Sequence, residues 1–178
     1  MAVVNSIVCP SASDDPARYA SSVRERVQTL ADVHMLLADN AWQSVTLASL
    51  FSMQLRKFEA SAVRLHGPPI AIDTTDAQPV ALIIHELAHN ARSYGALSSA
   101  SGSLDVRWRQ LELDGYEIVW RERGGDTPSQ NPRPGFGTIL VDALIEKQLK
   151  GYIRRDWLDG GLDLVVQLPG AKSARALA

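Results

Sequence analysis

The chain has 178 residues, 46% of them apolar, and a formal charge of −2. That length and composition support one ordinary domain plus a helical appendage, with a core that needs no staples, and the small charge gives no reason to expect nucleic acid or an anionic membrane as a partner. The single Cys9 excludes an internal disulfide framework and a cysteine-rich zinc site, and no run approaches ~20 apolar residues, so no segment is expected to span a bilayer.

The apolar start has no positive region and no clear cleavage site, so it does not read as a signal peptide, and the cytoplasm is the expected location. The run 1–9 stops at Pro10, and 11–15 is a polar loop. Asp15-Pro16 is a helix start, an acid at the cap and proline in the first turn. From there Val23, Val27, Leu30, His34 and Leu37 recur at alternating spacings of four and three, a heptad-like stripe on a helix reaching about Asp39. A connector over 40–46 leads to a helix over 47–58. Segment 64–72 contains Gly67-Pro68-Pro69, ends in Ile70-Ala71-Ile72, and reads as loop plus strand.

Asp76 is the expected cap of the next helix, whose 80–92 portion is apolar on most sides and therefore buried. After a small-residue loop at 98–102 come three strand candidates: 104–110, 111–115 and 116–122, the last alternating polar and apolar. Stretch 124–137 is rich in Gly, Pro and polar residues, and a loop of that length inside a compact domain is usually functional or mobile. A helix is expected over 138–150. Strands over 152–157 and 162–168 are joined by Leu158-Asp159-Gly160-Gly161, a hairpin signal. Residues 171–178 read as a disordered tail. The expected fold class is α+β: a two-layer α/β sandwich over 46–170, preceded by a separate, incomplete helical module over 1–45.

The segment Ile84-His85-Glu86-Leu87-Ala88-His89-Asn90-Ala91 holds H-E-x-x-H on a predicted helix. Read alone, it offers His85 and His89 as two zinc ligands on one face and Glu86 as activator of a bound water, as in zinc metallopeptidases. Such a site needs a third protein ligand. The extended Gly and third-His pattern is absent, and Glu112 and Glu117, the available acids, sit in predicted strands. A third reading makes this simply a core helix with a stray polar face.

The stretch from His85 through Asn90, Ala91, Arg92, Ser93, Tyr94, Gly95, Ala96 and Leu97 to Ser98 resembles the N-box of HWE histidine kinases in the GHKL ATPase superfamily. Trp120-Arg121-Glu122-Arg123-Gly124-Gly125 resembles the tryptophan–x–glutamate motif of their first glycine box, and Pro134-Gly135-Phe136-Gly137-Thr138 resembles their second. His34-Met35-Leu36-Leu37, Trp42 and Gly67-Pro68 fit as well, so the resemblance covers nearly the whole chain. It implies a GHKL-type ATP-binding fold that uses ATP and Mg²⁺ to phosphorylate a histidine in two-component signalling. The implied catalytic residues are Glu86 and His85. The implied nucleotide-binding residues are Asn90, Arg92, Tyr94, Gly95, Glu122, Gly124, Gly125, Gly135, Phe136, Gly137 and Thr138. Asn90 is the implied Mg²⁺ ligand, and Glu122 the implied reader of the adenine amino group.

The chemistry of these residue types agrees. Glu86 and Asn90, four apart, share a helix face; a carboxamide oxygen is a hard ligand suited to Mg²⁺, and a nearby carboxylate can take or orient the proton of an attacking imidazole. Glycines let backbone approach a ligand closely, so the glycine pairs are placed to shape a nucleotide lid. The sequence departs from the family at His89, where threonine is common, and at Ser93, where lysine is common; Arg92 could replace the missing cation. The family's acceptor histidine opens its first bundle helix, and Ala2 to Val8 resembles the stretch just after that motif, so the acceptor is expected to be missing from this chain. The expected partners are a second copy through the N-terminal helices and a response-regulator receiver domain. The alternative to a kinase is a non-catalytic phosphorelay regulator that binds a receiver.

Overall fold

The computed structural model describes residues 16–59, 61–112, 115–125 and 134–170, with side chains from residue 20 onward. The expected run 1–9, the cap at Asp15, most of the long loop at 124–137 and the tail at 171–178 lie outside the described residues.

Helix α1 (Pro16–Asp39) runs the length expected from the Asp15-Pro16 start. A tight turn ends it, with Ala41 and Trp42 in the left-handed region (φ 52° and 57°) and the Trp42 amide donating to the Leu37 carbonyl at 2.8 Å. Strand β1 (Val45–Thr46) leads into α2 (Leu47–Leu55), whose first turn is capped by Thr46: its hydroxyl accepts from the Ser49 amide at 3.0 Å. Strand β2 (Val63–His66) joins the main sheet. Strand β3 (Ala71–Ile72) pairs antiparallel with β1 instead.

Helix α3 (Thr74–Ser93) begins earlier than expected. Its N-cap is Asp73, and Asp76 lies in the first turn, which leaves Pro79 inside the helix. The hydrogen bond lost at Pro79 is the one to the carbonyl of exposed Thr75, where water substitutes, so the cost is small at that place. A 3₁₀ turn (Ala96–Ser98) follows. Strands β4 (Ser103–Gln110) and β5 (Tyr116–Arg123) pair antiparallel; of the strand expected at 111–115, the described residues 111, 112 and 115 are not in a strand. Helix α4 (Phe136–Asp142) continues as a π-helical turn (Ala143–Gln148). Strands β6 (Tyr152–Leu158) and β7 (Gly161–Leu168) close on Asp159-Gly160, with Gly160 at φ 71°, a left-handed conformation that glycine adopts without strain.

The main sheet has the order β2-β4-β5-β7-β6, parallel only between β2 and β4. One face presents Leu104, Val106, Trp108, Ile118, Trp120, Leu164 and Val166 to the helices. The other carries surface pairs such as Arg107–Asp105 and Arg109–Glu117. Burying one Leu- or Val-sized side chain stabilises by about 1.5–3 kcal/mol, against about 0–1 kcal/mol for an exposed ion pair, so the apolar face holds the layers together. Trp108 anchors the β2 end: it stacks on Phe51 with centroids 5.2 Å apart and donates from Nε1 to the Pro68 carbonyl at 2.8 Å. Gly67 is glycine because any side chain there would run into that indole.

The layout is a two-layer α+β sandwich with helix α1 laid along α3. The face of α1 that packs coincides only in part with the heptad-like stripe: Leu37 is buried and Leu30 packs against the core, but the face is turned toward Arg26, Thr29 and Val33. Arg26, Thr29, Val33 and Leu37 are buried, whereas Val27 is 53% exposed and His34 is exposed. Two of those four buried residues are polar because α3 presents polar partners to them, which apolar periodicity cannot register. Among the described residues no helix is long and apolar enough to cross a membrane.

Candidate nucleotide site around helix α3

The C-terminal half of α3 brings the N-box residues to the junction with α1, α4 and the end of β5. Glu86 is buried. Arg26 donates to it through a fork, Nε to Oε1 at 2.6 Å and Nη2 to Oε2 at 3.2 Å. The same guanidinium lies 4.5 Å over the Phe136 ring. Gly137 sits against α3 so closely that an added Cβ would stand 2.5 Å from Glu86 Oε2 and 3.8 Å from Asn90 Oδ1. Glu86, Asn90, Phe136 and Gly137 therefore meet in space, although about fifty residues of chain separate the two motifs. Asn90 is half-buried, and its carboxamide has no hydrogen-bond partner among the described residues.

A second cluster surrounds Glu122. Trp120 Nε1 donates to its Oε1 at 2.8 Å, and the Ala96 amide donates to its Oε2 at 3.0 Å. Burial pushes the Glu122 carboxyl up from the ordinary carboxylate range, and these two donors oppose the push. Gly95 is packed on this carboxylate, and Gly125 on the Gly95–Ala96 backbone, each too tightly for a side chain. Gly124 needs its φ of 78°, which L side chains adopt only with strain. Arg92, Tyr94 and Gly135 are exposed beside these clusters, and Thr138 is half-buried in the first turn of α4.

His85 lies apart from Asn90, toward α1 and α2. Its Nδ1 is 3.1 Å from Thr29 Oγ1 and 3.4 Å from Gln54 Oε1. The Thr29 hydroxyl already donates to the Glu25 carbonyl at 3.0 Å, so Thr29 and Gln54 both accept from His85 and the proton is assigned to Nδ1. Burial pushes the His85 pKa down; Glu86 and Glu25 oppose this, while Lys57 and His89 add to it. A folded-state value below the ordinary 6.5 means that the unfolded chain takes up a proton the folded chain refuses. This contribution to stability is fully present above pH 6.5 and is lost as pH falls below it. We expect Tm to drop more steeply in His85-containing protein than in His85→Gln between about pH 7 and pH 5.5; equal slopes would clear His85 of that role.

The donor sets can be weighed against zinc and against ATP-Mg²⁺. For zinc, Glu86 is neutralised by a buried cation, His85 points Nδ1 into Thr29 and Gln54, and among the described residues no group of three or more His, Cys, Asp or Glu is placed to hold a metal. For ATP-Mg²⁺, the half-buried Asn90 oxygen is a hard donor, and the glycine contacts on Glu86, Asn90 and Glu122 are cradles that a Cβ would fill. The residues fit the nucleotide and not the zinc ion. Sequence reasoning misses Arg26 and the Ala96 amide. Arg26 falls one position off the apolar stripe, and a backbone donor leaves no sequence signal.

Comparison with known proteins bears on the family and the fold. A sequence model described as HWE histidine kinase matches residues 1–69. The blue-light-activated histidine kinase of Rhizobium johnstonii is 42% identical over 172 residues, which cover 96% of this chain and 50% of that protein. Blue-light-activated histidine kinase 1 of Erythrobacter litoralis is 34% identical over 178 residues, covering 94% of this chain and 49% of that one. Among solved structures, the Erythrobacter litoralis EL346 blue-light activated histidine kinase has the same fold, with a TM-score of 0.72 at 15% identity over 89% of this chain and 51% of that one. The chain thus spans about half the length of the curated relatives it matches.

Proposed function

We infer, for a chain that belongs to the HWE histidine kinase family, that it binds ATP-Mg²⁺ at the C-terminal half of α3 and presents the γ-phosphoryl for transfer to a histidine. The observation that carries this reading is the packing of Gly137 on Glu86, facing Asn90, which brings the second glycine box to the N-box. Asn90 would hold Mg²⁺, which supplies charge neutralisation for the phosphates. Glu122 would read the adenine amino group, and its buried, doubly hydrogen-bonded carboxylate supports that role. Glu86 would take the imidazole proton. In the transfer the imidazole nitrogen bonds to the γ-phosphorus, the bond to the β–γ bridging oxygen breaks, and ADP leaves.

The acceptor histidine would lie outside this chain. Neither His85, which is enclosed by Thr29 and Gln54, nor His34, which bonds to Gln78, has the setting of an attacking nucleophile. The partners we propose are a second copy and a receiver domain, in the cytoplasm. The exposure of Val27 (53%) and Met35 (66%) on α1 supports a face for the second copy.

Thermal shift with ATP-Mg²⁺ and, separately, with Zn²⁺ tests the reading. ATP-Mg²⁺ is expected to raise Tm and Zn²⁺ is not. His89→Thr, which restores the common family residue beside Asn90, is expected to keep or improve the ATP response. A protein indifferent to ATP-Mg²⁺ would defeat the nucleotide assignment. A zinc response abolished by His89→Thr would replace it with the metallopeptidase reading.

A further inference from the structure

We infer that Arg26 is a positioning residue of the α3 site. Its guanidinium, carried on α1, holds and occupies the Glu86 carboxylate, so that opening this carboxylate is coupled to movement of α1 away from α3. The inference rests on the nucleotide reading of this site and assigns a control to it.

The seam between α1 and α3 divides into two chemically different halves. Toward Leu37 it is apolar where it is buried, at Val33 and Leu37, with the His34–Gln78 bond at its exposed edge. Toward Arg26 it is polar, and each α1 residue there grips a residue of the H-E pair: Thr29 meets His85, and Arg26 meets Glu86. Both oxygens of Glu86 are engaged by the fork, and the paired side chains are each 4% exposed, so water does not share them. The guanidinium also holds Phe136 through its ring face, and the next residue, Gly137, packs on Glu86 and faces Asn90. Arg26 thereby ties three things into one unit: the helix α1, the carboxylate of α3, and the start of α4.

Phosphates and Mg²⁺ held at Asn90 would need the space beside its Oδ1, toward which Gly137 faces: a Cβ added to Gly137 would come within 3.8 Å of that oxygen. Moving Gly137 carries Phe136 off the guanidinium and removes one of the two contacts that fix Arg26. A ligand that favours the opened arrangement loosens α1, and by reciprocity a loosened α1 favours the ligand. A polar seam suits such a switch, because Arg26 and Glu86 can each be hydrated once apart, whereas separating an apolar seam exposes surface that nothing compensates.

Hydrogen exchange of the full chain, with and without ATP-Mg²⁺, tests this directly. The expected result is that ATP-Mg²⁺ speeds amide exchange over 20–37 by roughly tenfold, the middle of the usual coupling range, while it protects 84–92. In Arg26→Gln, exchange over 20–37 should already be fast without nucleotide, and ATP-Mg²⁺ should bind several-fold more tightly than to the starting protein. A residue with only a structural role would not make α1 respond to nucleotide. Tight ATP-Mg²⁺ binding to the starting protein with exchange over 20–37 unchanged or slowed would overturn the coupling while leaving the nucleotide reading intact. Weaker binding in Arg26→Gln would also overturn it. If neither protein binds ATP-Mg²⁺, the nucleotide reading has failed and the inference falls with it. Should Arg26→Gln not fold, the exchange comparison on the starting protein decides alone.

Discussion

Asn90→Ala is expected to weaken ATP-Mg²⁺ binding by roughly 100-fold, the upper end of what loss of a metal-site partner costs. Position is the first reason: Asn90 is half-buried, one helical turn beyond Glu86, and its carboxamide has no hydrogen-bond partner among the described residues. A polar group so placed does little for the fold, so its truncation should leave the unliganded Tm nearly unchanged. At a ligand concentration 100 times Kd, binding stabilises by about 2.7 kcal/mol, a Tm rise of roughly 5–10 °C for a chain of this size. Asn90→Ala should remove nearly all of that rise. A variant that keeps the full ATP-Mg²⁺ shift would show that the metal is held elsewhere.

The second large effect concerns stability. Removing one member of a buried ion pair leaves the other charge uncompensated, at a cost of about 3–5 kcal/mol. Glu86→Ala should therefore lower the unfolding free energy by about that much, measured by urea denaturation, because Arg26 has no route to solvent in the folded protein; both side chains are 4% exposed. The Arg26→Met/Glu86→Leu double variant should recover most of the loss, since well-packed apolar replacements of buried pairs are commonly neutral or stabilising. A Glu86→Ala cost below about 1 kcal/mol would place the pair in the range of solvated surface bridges. The stability effect also matters for function: any loss of phosphotransfer in a Glu86 variant must be separated from loss of fold, whereas Asn90 carries no such burden.

The elements of the fold are legible along the chain wherever a local rule decides them. Asp15-Pro16 announces α1, alternation announces β5, and Asp159-Gly160 announces the β6–β7 turn that Gly160 completes with its positive φ. The start of α3 is misleading in sequence because Asp76 and Pro79 look like a cap and a first turn, yet the helix begins at Thr74 and tolerates the buried proline because the carbonyl it leaves unpaired belongs to exposed Thr75. The seam of α1 misleads for a different reason. Apolar periodicity ranks Val27 above Arg26, but the partner face offers Glu86 and His85, and complementary polar groups outweigh the apolar stripe there.

The candidate site divides the same way. The motif residues Glu86, Asn90, Gly95, Glu122, Gly125 and Gly137 can all be named from sequence through the resemblance of three short segments to the family's boxes, because each box is a local pattern. That these residues form two clusters, with His85 turned away toward Thr29 and Gln54, is decided only when the helices pack on the sheet. H-E-x-x-H illustrates the difference. Sequence places two imidazoles and a carboxylate on one helix, and that spacing is equally good for zinc. The tertiary structure brings Arg26, sixty positions away, onto the carboxylate. Spacing determines which groups share a face; burial, and the charge that arrives from elsewhere in the chain, determines what those groups can bind.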